Sequence, residues 1–316
     1  MARYAGRKLA YLVPVLLAVT ALTFLLASLL PGDVAVIMLG DQATPANVAA
    51  LHKQLGLDQP APVRYLRWLG GVVTGDFGVS PRTREPALHA IAGRLPVSLE
   101  LIALAEVGAL LLGVSLGVLC SARREQPLDR AVSAVAFGSL SIPSYMLAIL
   151  LIFVFALRLG IFPSTGYVPF FQNPLANLRG MALPAATLML GEWPVLMRVL
   201  RSDMIATLQQ EYITAARAKG VTARRVLLVH ALKPSSLTLV TVAGFNLGRL
   251  IGGAVIVEVI FALPGMGRML VESILTRDYV LLQGGVVFVA AGFVLVNMVV
   301  DLLYMVLDPR VRHDHS

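Results

Sequence analysis

Six charged residues interrupt long apolar runs, and they are the residues best placed to do chemistry. They are Glu100, Glu106, Glu192, Arg249, Glu258 and Asp301. A charge at the centre of a bilayer costs about 2.5–3.5 kcal/mol on insertion scales, so these side chains should face a protein interior or a water-filled pathway. Arg249 and Glu258 lie about half a turn out of phase on a helix and cannot pair with each other. Arg249 therefore needs a partner on another element or a hydrated cavity, unless these residues lie at helix ends near the lipid headgroups.

The chain contains one motif typical of hydrolases, Gly113-Val-Ser-Leu-Gly117, which matches G-x-S-x-G. A nucleophile elbow requires a strand before the serine and a helix after it, together with a histidine and an acid. This motif instead lies within a predicted membrane helix, and no histidine lies in the core of an apolar run. There is no G-x-x-x-x-G-K-[ST] sequence for ATP phosphates, and the pair His313 and His315 is too small for a metal site. We therefore expect no catalytic residue, metal site or bound cofactor in this chain.

The composition is that of a membrane protein. Hydrophobic residues make up 57% and charged residues 14% of the chain, whereas soluble domains carry about 25% charged residues. The net charge of +8 could indicate a nucleic-acid partner, but membrane proteins collect lysine and arginine in their cytoplasmic loops. We therefore expect membrane lipid around this chain, and no nucleic acid. The single cysteine, Cys120, excludes an internal disulfide.

Apolar runs predict an all-α polytopic membrane protein that forms one transmembrane domain over residues 1–316. Each run is close to the length of about 20 residues that a helix needs to cross a bilayer. The first is longer than the apolar region of a signal peptide, which is about 7–15 residues, so we interpret it as an uncleaved span. Residues 31–96 are mixed and polar, and we expect them to form an extracytoplasmic cap. The six predicted spans are residues 9–30, 97–122, 131–158, 182–203, 235–261 and 284–307.

The distribution of basic residues predicts the orientation of the spans. The two termini, the loop after the second span and the stretch from Arg198 to Lys233 hold 15 lysines and arginines. The opposite face holds 10, of which 6 lie in the long 31–96 segment. Long loops count little in the positive-inside rule, so the more basic face is predicted to be cytoplasmic. Both termini are then cytoplasmic as well.

The longest basic stretch, Glu211 to Pro234, lies in the predicted cytoplasmic loop 204–234 and has the pattern of two short helices around a break. Alanines favour the first helix, and Gly220 can end it in the left-handed conformation. Thr222 is a suitable N-cap for a second helix, and Pro234 is predicted to stop that helix. A small-faced helix of this kind suits docking into a groove of another protein. An ordinary positively charged loop is the alternative.

Small residues and prolines in the spans suggest packing and bending. Gly244, Gly248 and Gly252 recur every four residues, a spacing that lets two membrane helices approach closely. Pro143 and Pro194 each lie inside an apolar run, where a proline removes a backbone hydrogen bond and bends the helix. Such a bend can serve a gate, or it can serve packing alone.

The basic stretch resembles the EAA loop of ABC-importer permeases, in which Glu-Ala-Ala is followed by three residues and a glycine. Here the pattern is Thr214-Ala215-Ala216-Arg-Ala-Lys-Gly220, and the threonine in place of glutamate is shared with the peptide-type branch. His230 and Pro234 depart from the pattern at its far end. The resemblance implies that this helix couples the permease to an ATPase. The coupling residues would be Glu211, Tyr212, Thr214, Ala215, Ala216, Arg217, Lys219 and Gly220.

Further segments, in the same order along the chain, resemble dipeptide and oligopeptide ABC-importer permeases of the B type. They include Pro31-Gly-Asp33, Gln54 to Pro60, Gly75-Asp-Phe-Gly78, Arg94-Leu-Pro96, Ser141-Ile-Pro-Ser-Tyr145, Gly252 to Glu258, Phe261 to Arg268, Arg277-Asp-Tyr279, Asn297 with Asp301, and Asp308-Pro-Arg310. The resemblance implies a type I ABC-importer fold of six spans in a bacterial inner membrane. It also suggests a translocation pathway or gate, for which the candidates are Ser141, Pro143, Tyr145, Glu192, Asn246, Arg249 and Glu258.

The resemblance implies partners and a cargo. A second, C-type permease would complete the pathway, two ATP-binding cassettes would hydrolyse ATP with Mg²⁺, and an extracytoplasmic binding protein would deliver a peptide. This chain would then be a translocating subunit and not an enzyme. Haem, nickel and glutathione are alternative cargoes within the family, and an ion-coupled secondary transporter is the alternative class. The exterior residues Phe162, Tyr167, Phe170 and Phe171 are candidate contacts for the binding protein, unless their segment is a simple connection.

Overall fold

The computed structural model describes residues 13–25, 34–39, 43–56 and 58–307, which are mainly helical. Within them the structure has no β-strand, and one isolated bridge joins Val79 to Pro86. The predicted all-α class is therefore confirmed. The helices are α1 (Val13–Leu25), α2 (Val34–Leu39), α3 (Pro45–Leu55), α4 (Ala61–Thr74), α5 (Ala87–Ala122), α6 (Pro127–Ser141), α7 (Ser144–Arg158), α8 (Pro174–Leu208), α9 (Glu211–Ala218), α10 (Ala223–Ile260), α11 (Met266–Leu275) and α12 (Tyr279–Leu307).

Four of these helices, α5, α8, α10 and α12, are long and apolar enough to cross a membrane. The pair α6 and α7 adds a fifth candidate if the two are counted as one bent span. Helix α1 is apolar but shorter, and the ends of its predicted span at 9–12 and 26–30 lie outside the described residues. The count of six spans and the sidedness of the termini, which also lie outside the described residues, stay predictions.

Helix α5 starts at Ala87, well before the predicted span at 97, and continues through Pro96. Ala87, Ala90 and Ile91 are buried on one face of this early part. Ala87 and Ala90 pack with Phe77 and Leu281 in an apolar cluster. Tertiary burial therefore extends the helix across a residue that disfavours it.

The bend predicted at Pro143 is present. Helices α6 and α7 meet there at 105°. Ile142, the residue before the proline, takes an extended conformation with φ −92° and ψ 122°, as the steric demand of the proline ring requires. Pro194 behaves differently, because α8 continues through it without a break. The same residue type therefore breaks one span and is accommodated in another.

The prediction that Pro234 ends the second helix of the basic stretch is wrong, because α10 continues to Ile260. A proline inside an α-helix lacks the N–H group and collides with the carbonyl four residues earlier. Here a wide π-helical turn, Val226–Ala231, comes directly before it and changes the hydrogen-bond register. Pro234 is then the third residue of the α-helical segment Leu232–Ile260, where a backbone N–H has no intrahelical partner.

The chain divides into two compact units, each discontinuous in sequence. One unit runs to Val97 and adds Pro264–Val294; the other comprises Ser98–Leu263 and the residues from Leu295 onward. In the first unit the rings of Phe77 and Phe288 pack 5.3 Å apart. In the second, buried residues of α8, including Leu196 and Leu200, form the main core with α5, α6 and α10.

The G-x-S-x-G motif lies within α5 and serves helix packing. A Cβ atom on Gly113 would lie 2.9 Å from the Cβ atom of Leu196, and one on Gly117 would lie 3.2 Å from the Cβ atom of Leu200. These glycines therefore let α5 approach α8 closely. The helical context confirms that the motif is not a nucleophile elbow.

Gly244, one member of the small-residue repeat, lies in a tight helix contact. A methyl group added at Gly244 would overlap the side chain of Val300 on α12, whereas nothing lies within 4 Å of a Cβ atom on Gly252. Overpacking of a well-packed core costs about 1–3 kcal/mol, so we expect Gly244→Val to lower the thermal unfolding temperature in detergent, and Gly252→Ala to leave it unchanged. Equal unfolding temperatures for the two variants would contradict this packing.

Candidate functional site

Helix α9 presents a small, polar surface. Its anchor is Ile213, which is fully buried, while Thr214, Ala215 and Arg217 are exposed. The helix ends at Ala218, and Gly220 follows in the left-handed region with φ +79°. Both the helix and its glycine terminator are as predicted. The short side chains of Thr214 and Ala215 are thus exposed beside the charged side chains of Glu211, Arg217 and Lys219, and this surface can contact another protein.

One hydrogen bond ties α9 to the start of α10. The hydroxyl of Tyr212 donates to the backbone carbonyl of His230 at 3.2 Å. In a regular α-helix that carbonyl would accept from the residue four positions later, which is Pro234 and has no N–H group. Tyr212 therefore satisfies an acceptor that the proline leaves without its usual partner. This contact and the packing of the two segments join α9 to the start of α10.

A polar cluster lies between the long helices of the second unit. The Nη2 atom of Arg249 on α10 lies 3.3 Å from the Oε1 atom of Glu192 on α8, and the side chains are 64% and 8% exposed. Arg249 therefore has the partner on another element that its position in the sequence requires. The second carboxyl oxygen of Glu192 has no hydrogen-bond partner among the described residues.

Asn246 and Glu106 are among the other side chains of this unit that have unsatisfied buried groups. Asn246, one turn before Arg249, is 4% exposed, and its Nδ2 atom has no partner within the described chain. Glu106 on α5 is 6% exposed, and neither of its carboxyl oxygens is hydrogen-bonded to a described residue. Its carboxyl group lies within electrostatic range of that of Glu192. Unsatisfied buried polar groups are costly, and their concentration here is typical of a functional site.

A cavity of about 250 Å³ opens beside the Glu192–Arg249 pair. The bend of the third predicted span forms one wall of it, and α8 and α10 form the others. The polar residues of its lining are Ser139, Ser144, Thr187, Glu192 and Arg249. Of the predicted pathway residues, Glu192 and Arg249 line this cavity. Ser141, Pro143 and Tyr145 belong to the bend itself, where the Ser141 hydroxyl donates to the carbonyl of Phe137 at 3.0 Å.

Glu258, a further pathway candidate, is placed elsewhere. It is 1% exposed and accepts a hydrogen bond of 2.5 Å from the hydroxyl of Ser98. Glu258 thereby joins α10 to α5, and it does not line the cavity beside Arg249.

The exterior segment between α7 and α8 contains both anchored and exposed aromatic residues. The hydroxyl of Tyr167 donates to Glu100 at 2.9 Å, and burial together with this carboxylate raises the pKa of Tyr167 to about 12. The hydroxyl therefore remains protonated and able to donate at any physiological pH. In contrast, Phe171 is 97% exposed and packs edge-on against Phe170, with ring centroids 5.8 Å apart. Of the predicted contact residues, Phe170 and Phe171 are the two with exposed side chains.

The sequence interpretation missed one ion pair of the second unit. The carboxylate of Asp129, which is 2% exposed, accepts two bonds of 2.6 Å from Arg201. It also accepts from the backbone N–H of Glu125 at 2.9 Å, so it fixes the turn before α6 against α8. An acid in the first turn of a helix that begins with Pro127 was the available signal, but it does not identify the arginine.

Polar residues of the first unit have structural roles. The hydroxyl of Ser80 donates to the buried carboxylate of Asp278, which also accepts from the backbone N–H of Leu281 at 3.1 Å at the start of α12. In the Gly75–Gly78 segment the carboxylate of Asp76 accepts from the backbone N–H of Gly78 at 2.9 Å. These contacts explain why two of the segments used for the resemblance carry aspartates.

Comparison with known families places the chain among transport proteins. Residues 110–313 match the family described as "Binding-protein-dependent transport system inner membrane component". Residues 1–102 match the N-terminal family of the membrane components of the same systems. Together the two matches cover nearly the whole sequence.

Individual relatives and solved structures agree with this placement. A relative from Brucella abortus (strain 2308), named for a peptide transport system, is 44% identical over 98% of both chains. The dipeptide transport system permease of Escherichia coli (strain K12) is 35% identical over 99% of both chains. An inward-facing MetNI methionine ABC transporter has the same fold with a TM-score of 0.59 at 18% identity, covering 70% of this chain and 97% of that chain. The chain therefore belongs to the family of inner membrane components of binding-protein-dependent transport systems.

Proposed function

We propose that this chain is the membrane-spanning permease subunit of an ATP-driven importer of di- and oligopeptides. The observation that carries the proposal is the similarity over almost the full length to permeases named for peptide and dipeptide transport. Helix α9, with its exposed short side chains and its glycine terminator, supplies the surface that such a subunit requires for docking to an ATPase. Catalysis of ATP hydrolysis, with Mg²⁺, belongs in this proposal to partner chains.

The partners follow from the same proposal. A second permease completes the pathway, and two ATP-binding cassettes face the loop that contains α9 on the cytoplasmic side. An extracytoplasmic binding protein delivers the peptide on the opposite side. The exposed pair Phe170 and Phe171 provides an apolar contact for that binding protein, whereas Tyr167, held by Glu100, supports the segment from within.

Of the alternative cargoes, haem and nickel differ from peptides in chemistry, whereas glutathione is itself a tripeptide. Haem, nickel and glutathione remain candidates because the sequence of the permease does not identify the ligand of its binding protein. The cavity beside Glu192 and Arg249, with its hydroxyl groups and one charge of each sign, favours a small zwitterionic ligand such as a short peptide. An ion-coupled secondary transporter would operate without ATP, which separates it from the proposed class.

The direct test is purification from the native membrane in mild detergent, with the co-purifying chains identified by mass spectrometry. We expect a second permease and ATP-binding cassettes, and ATP-dependent uptake of peptide once the complex and its binding protein are reconstituted in vesicles. The isolated binding protein is then titrated with peptides, haem, nickel and glutathione to identify the cargo. A homo-oligomer without associated ATPase, or uptake driven by an ion gradient alone, would refute the proposal.

The bond from Tyr212 to the His230 carbonyl makes a specific prediction about coupling. We expect Tyr212→Phe to keep ATP hydrolysis in the reconstituted complex but to lower peptide uptake per ATP several-fold, because a hydrogen bond contributes about 0.5–1.5 kcal/mol. Tyr279→Phe is the matched control, since the Tyr279 hydroxyl has no hydrogen-bond partner in the described part of the chain. Unchanged uptake per ATP in Tyr212→Phe would show that this contact does not transmit movement.

A further inference from the structure

The Glu192–Arg249 pair combines a strongly buried carboxylate with a largely exposed guanidinium. Glu192 is 6% exposed and Arg249 reaches into the cavity with a side chain that is 64% exposed. The separation of 3.3 Å is longer than the about 2.7–2.9 Å of a well-formed charge-assisted hydrogen bond. A single long contact leaves most of the five N–H donors of a guanidinium available to another acceptor.

The buried carboxylate of Glu192 can also accept more hydrogen bonds than it does. The Oε2 atom of Glu192 is buried and without a partner among the described residues, although Glu192 lines the cavity. An ionised carboxylate offers about four acceptor positions, and burial without partners is costly. A cationic ligand in the cavity would remove that cost.

The size and lining of the cavity restrict the ligand to a small, polar molecule. Its volume of about 250 Å³ lies just below the range of about 300–1,000 Å³ for pockets that hold drug-sized ligands. Ser139 and Ser144 line it together with one positive and one negative side chain, whereas the hydroxyl of Thr187, also in the lining, is buried and donates to the carbonyl of Leu183 at 2.9 Å. This combination suits a molecule with one charge of each sign and a short, hydrogen-bonding backbone.

We propose that this cavity binds the two charged ends of a short peptide, with Arg249 taking the carboxylate and Glu192 taking the ammonium group. The inference rests on the proposed function and adds to it the chemistry by which the permease itself recognises cargo. The peptide would replace the weak contact between Glu192 and Arg249 with two separate ion pairs. Side chains of the peptide would contribute little, which suits a transporter that accepts many sequences.

The test compares three peptides in the reconstituted importer: dialanine, dialanine amide and N-acetyl-dialanine. Each is supplied at a concentration that saturates the binding protein, and uptake is measured for the wild type, Arg249→Gln and Glu192→Gln. Arg249→Gln should reduce uptake of dialanine and of dialanine amide to different extents. We expect the reduction for dialanine to be at least about 10-fold greater, a factor that the strength of a hydrogen bond to a charged group can supply. Glu192→Gln should likewise reduce uptake of dialanine more than that of the N-acetyl peptide.

The design separates recognition from general damage. The binding protein is the same in every arm, so its own preference cancels when a variant is compared with the wild type. Arg158→Gln is the matched control, because Arg158 lies over the ring of Phe153 at 5.2 Å and does not line the cavity; its uptake ratios should not change. If Arg249→Gln does not assemble with its partners, the uptake comparison for Glu192→Gln tests the inference by itself. If a modified peptide does not bind the binding protein, each peptide is titrated directly against the purified complex, and the affinities are compared in the same way.

Equal losses for all three peptides in the two variants would overturn the inference and leave the proposed function intact. Absence of ATP-dependent uptake of any peptide by the wild type would instead overturn the proposed function, and this inference with it.

Discussion

Replacing Arg201 with methionine is expected to destabilise the protein by about 3–5 kcal/mol, because it leaves a buried charge without its partner. The carboxylate of Asp129 has a side chain that is only 3% exposed, and Arg201 supplies both of its short ion-pair contacts. After the substitution this carboxylate keeps two neutral donors, the backbone N–H of Glu125 and the thiol of Cys120. The measurement is thermal or denaturant unfolding of the purified protein in detergent, followed by fluorescence.

Two matched variants decide whether the loss comes from the unpaired charge. Asp129→Asn combined with Arg201→Met removes the charge but keeps an acceptor for the Glu125 N–H, and should recover most of the stability, because replacing a whole buried pair is often nearly neutral. Arg198→Met is the control on the same helix. Arg198 lies over the ring of Phe137 at 4.6 Å and makes no ion pair with another described residue, and such ring contacts contribute about 0.5–1 kcal/mol. Equal losses in Arg201→Met and Arg198→Met would refute the role of the ion pair.

Gly220→Pro is expected to reduce ATP-driven uptake to the level seen without ATP, while the protein still inserts into the membrane. Proline fixes φ near about −65°, whereas Gly220 has φ +79° and donates its N–H to the carbonyl of Arg217 at 3.0 Å. The substitution therefore destroys the turn that ends α9 and displaces the proposed docking helix. The measurement is peptide uptake and ATP hydrolysis in reconstituted vesicles, with membrane insertion checked separately.

A pair of alanine variants separates coupling from backbone strain. Gly220 and Gly160 both have positive φ values, +79° and +62°, and a Cβ atom at either would meet nothing within 4 Å. Alanine in this conformation costs about 1–2 kcal/mol at either position. We expect Gly220→Ala to lower uptake and Gly160→Ala to leave it nearly unchanged. Normal ATP-driven uptake in Gly220→Pro would show that α9 does not take part in coupling to the ATPase.

The features that the sequence predicted correctly depend on local physical chemistry. An apolar run of sufficient length predicts a helix that can cross a bilayer, and four such helices are present with a fifth, bent candidate. The break at Pro143 and the end of α9 before Gly220 follow from backbone geometry that the residue types themselves impose. The family resemblance, drawn from short segments in order, is confirmed by the matches that cover the chain.

Tertiary structure decided which distant residues meet. Glu192 and Arg249 are separated by 57 residues, and Asp129 and Arg201 by 72, so each pair depends on how two helices pack and rotate. The continuation of α10 through Pro234 likewise depended on the π-helical turn before it, and no residue type in the stretch specifies that turn. Helix formation and helix termination are set within a few residues, whereas ion pairs between helices are set by the packing of whole faces. The sequence could therefore indicate that Arg249 needs a partner, and only the folded chain identified Glu192.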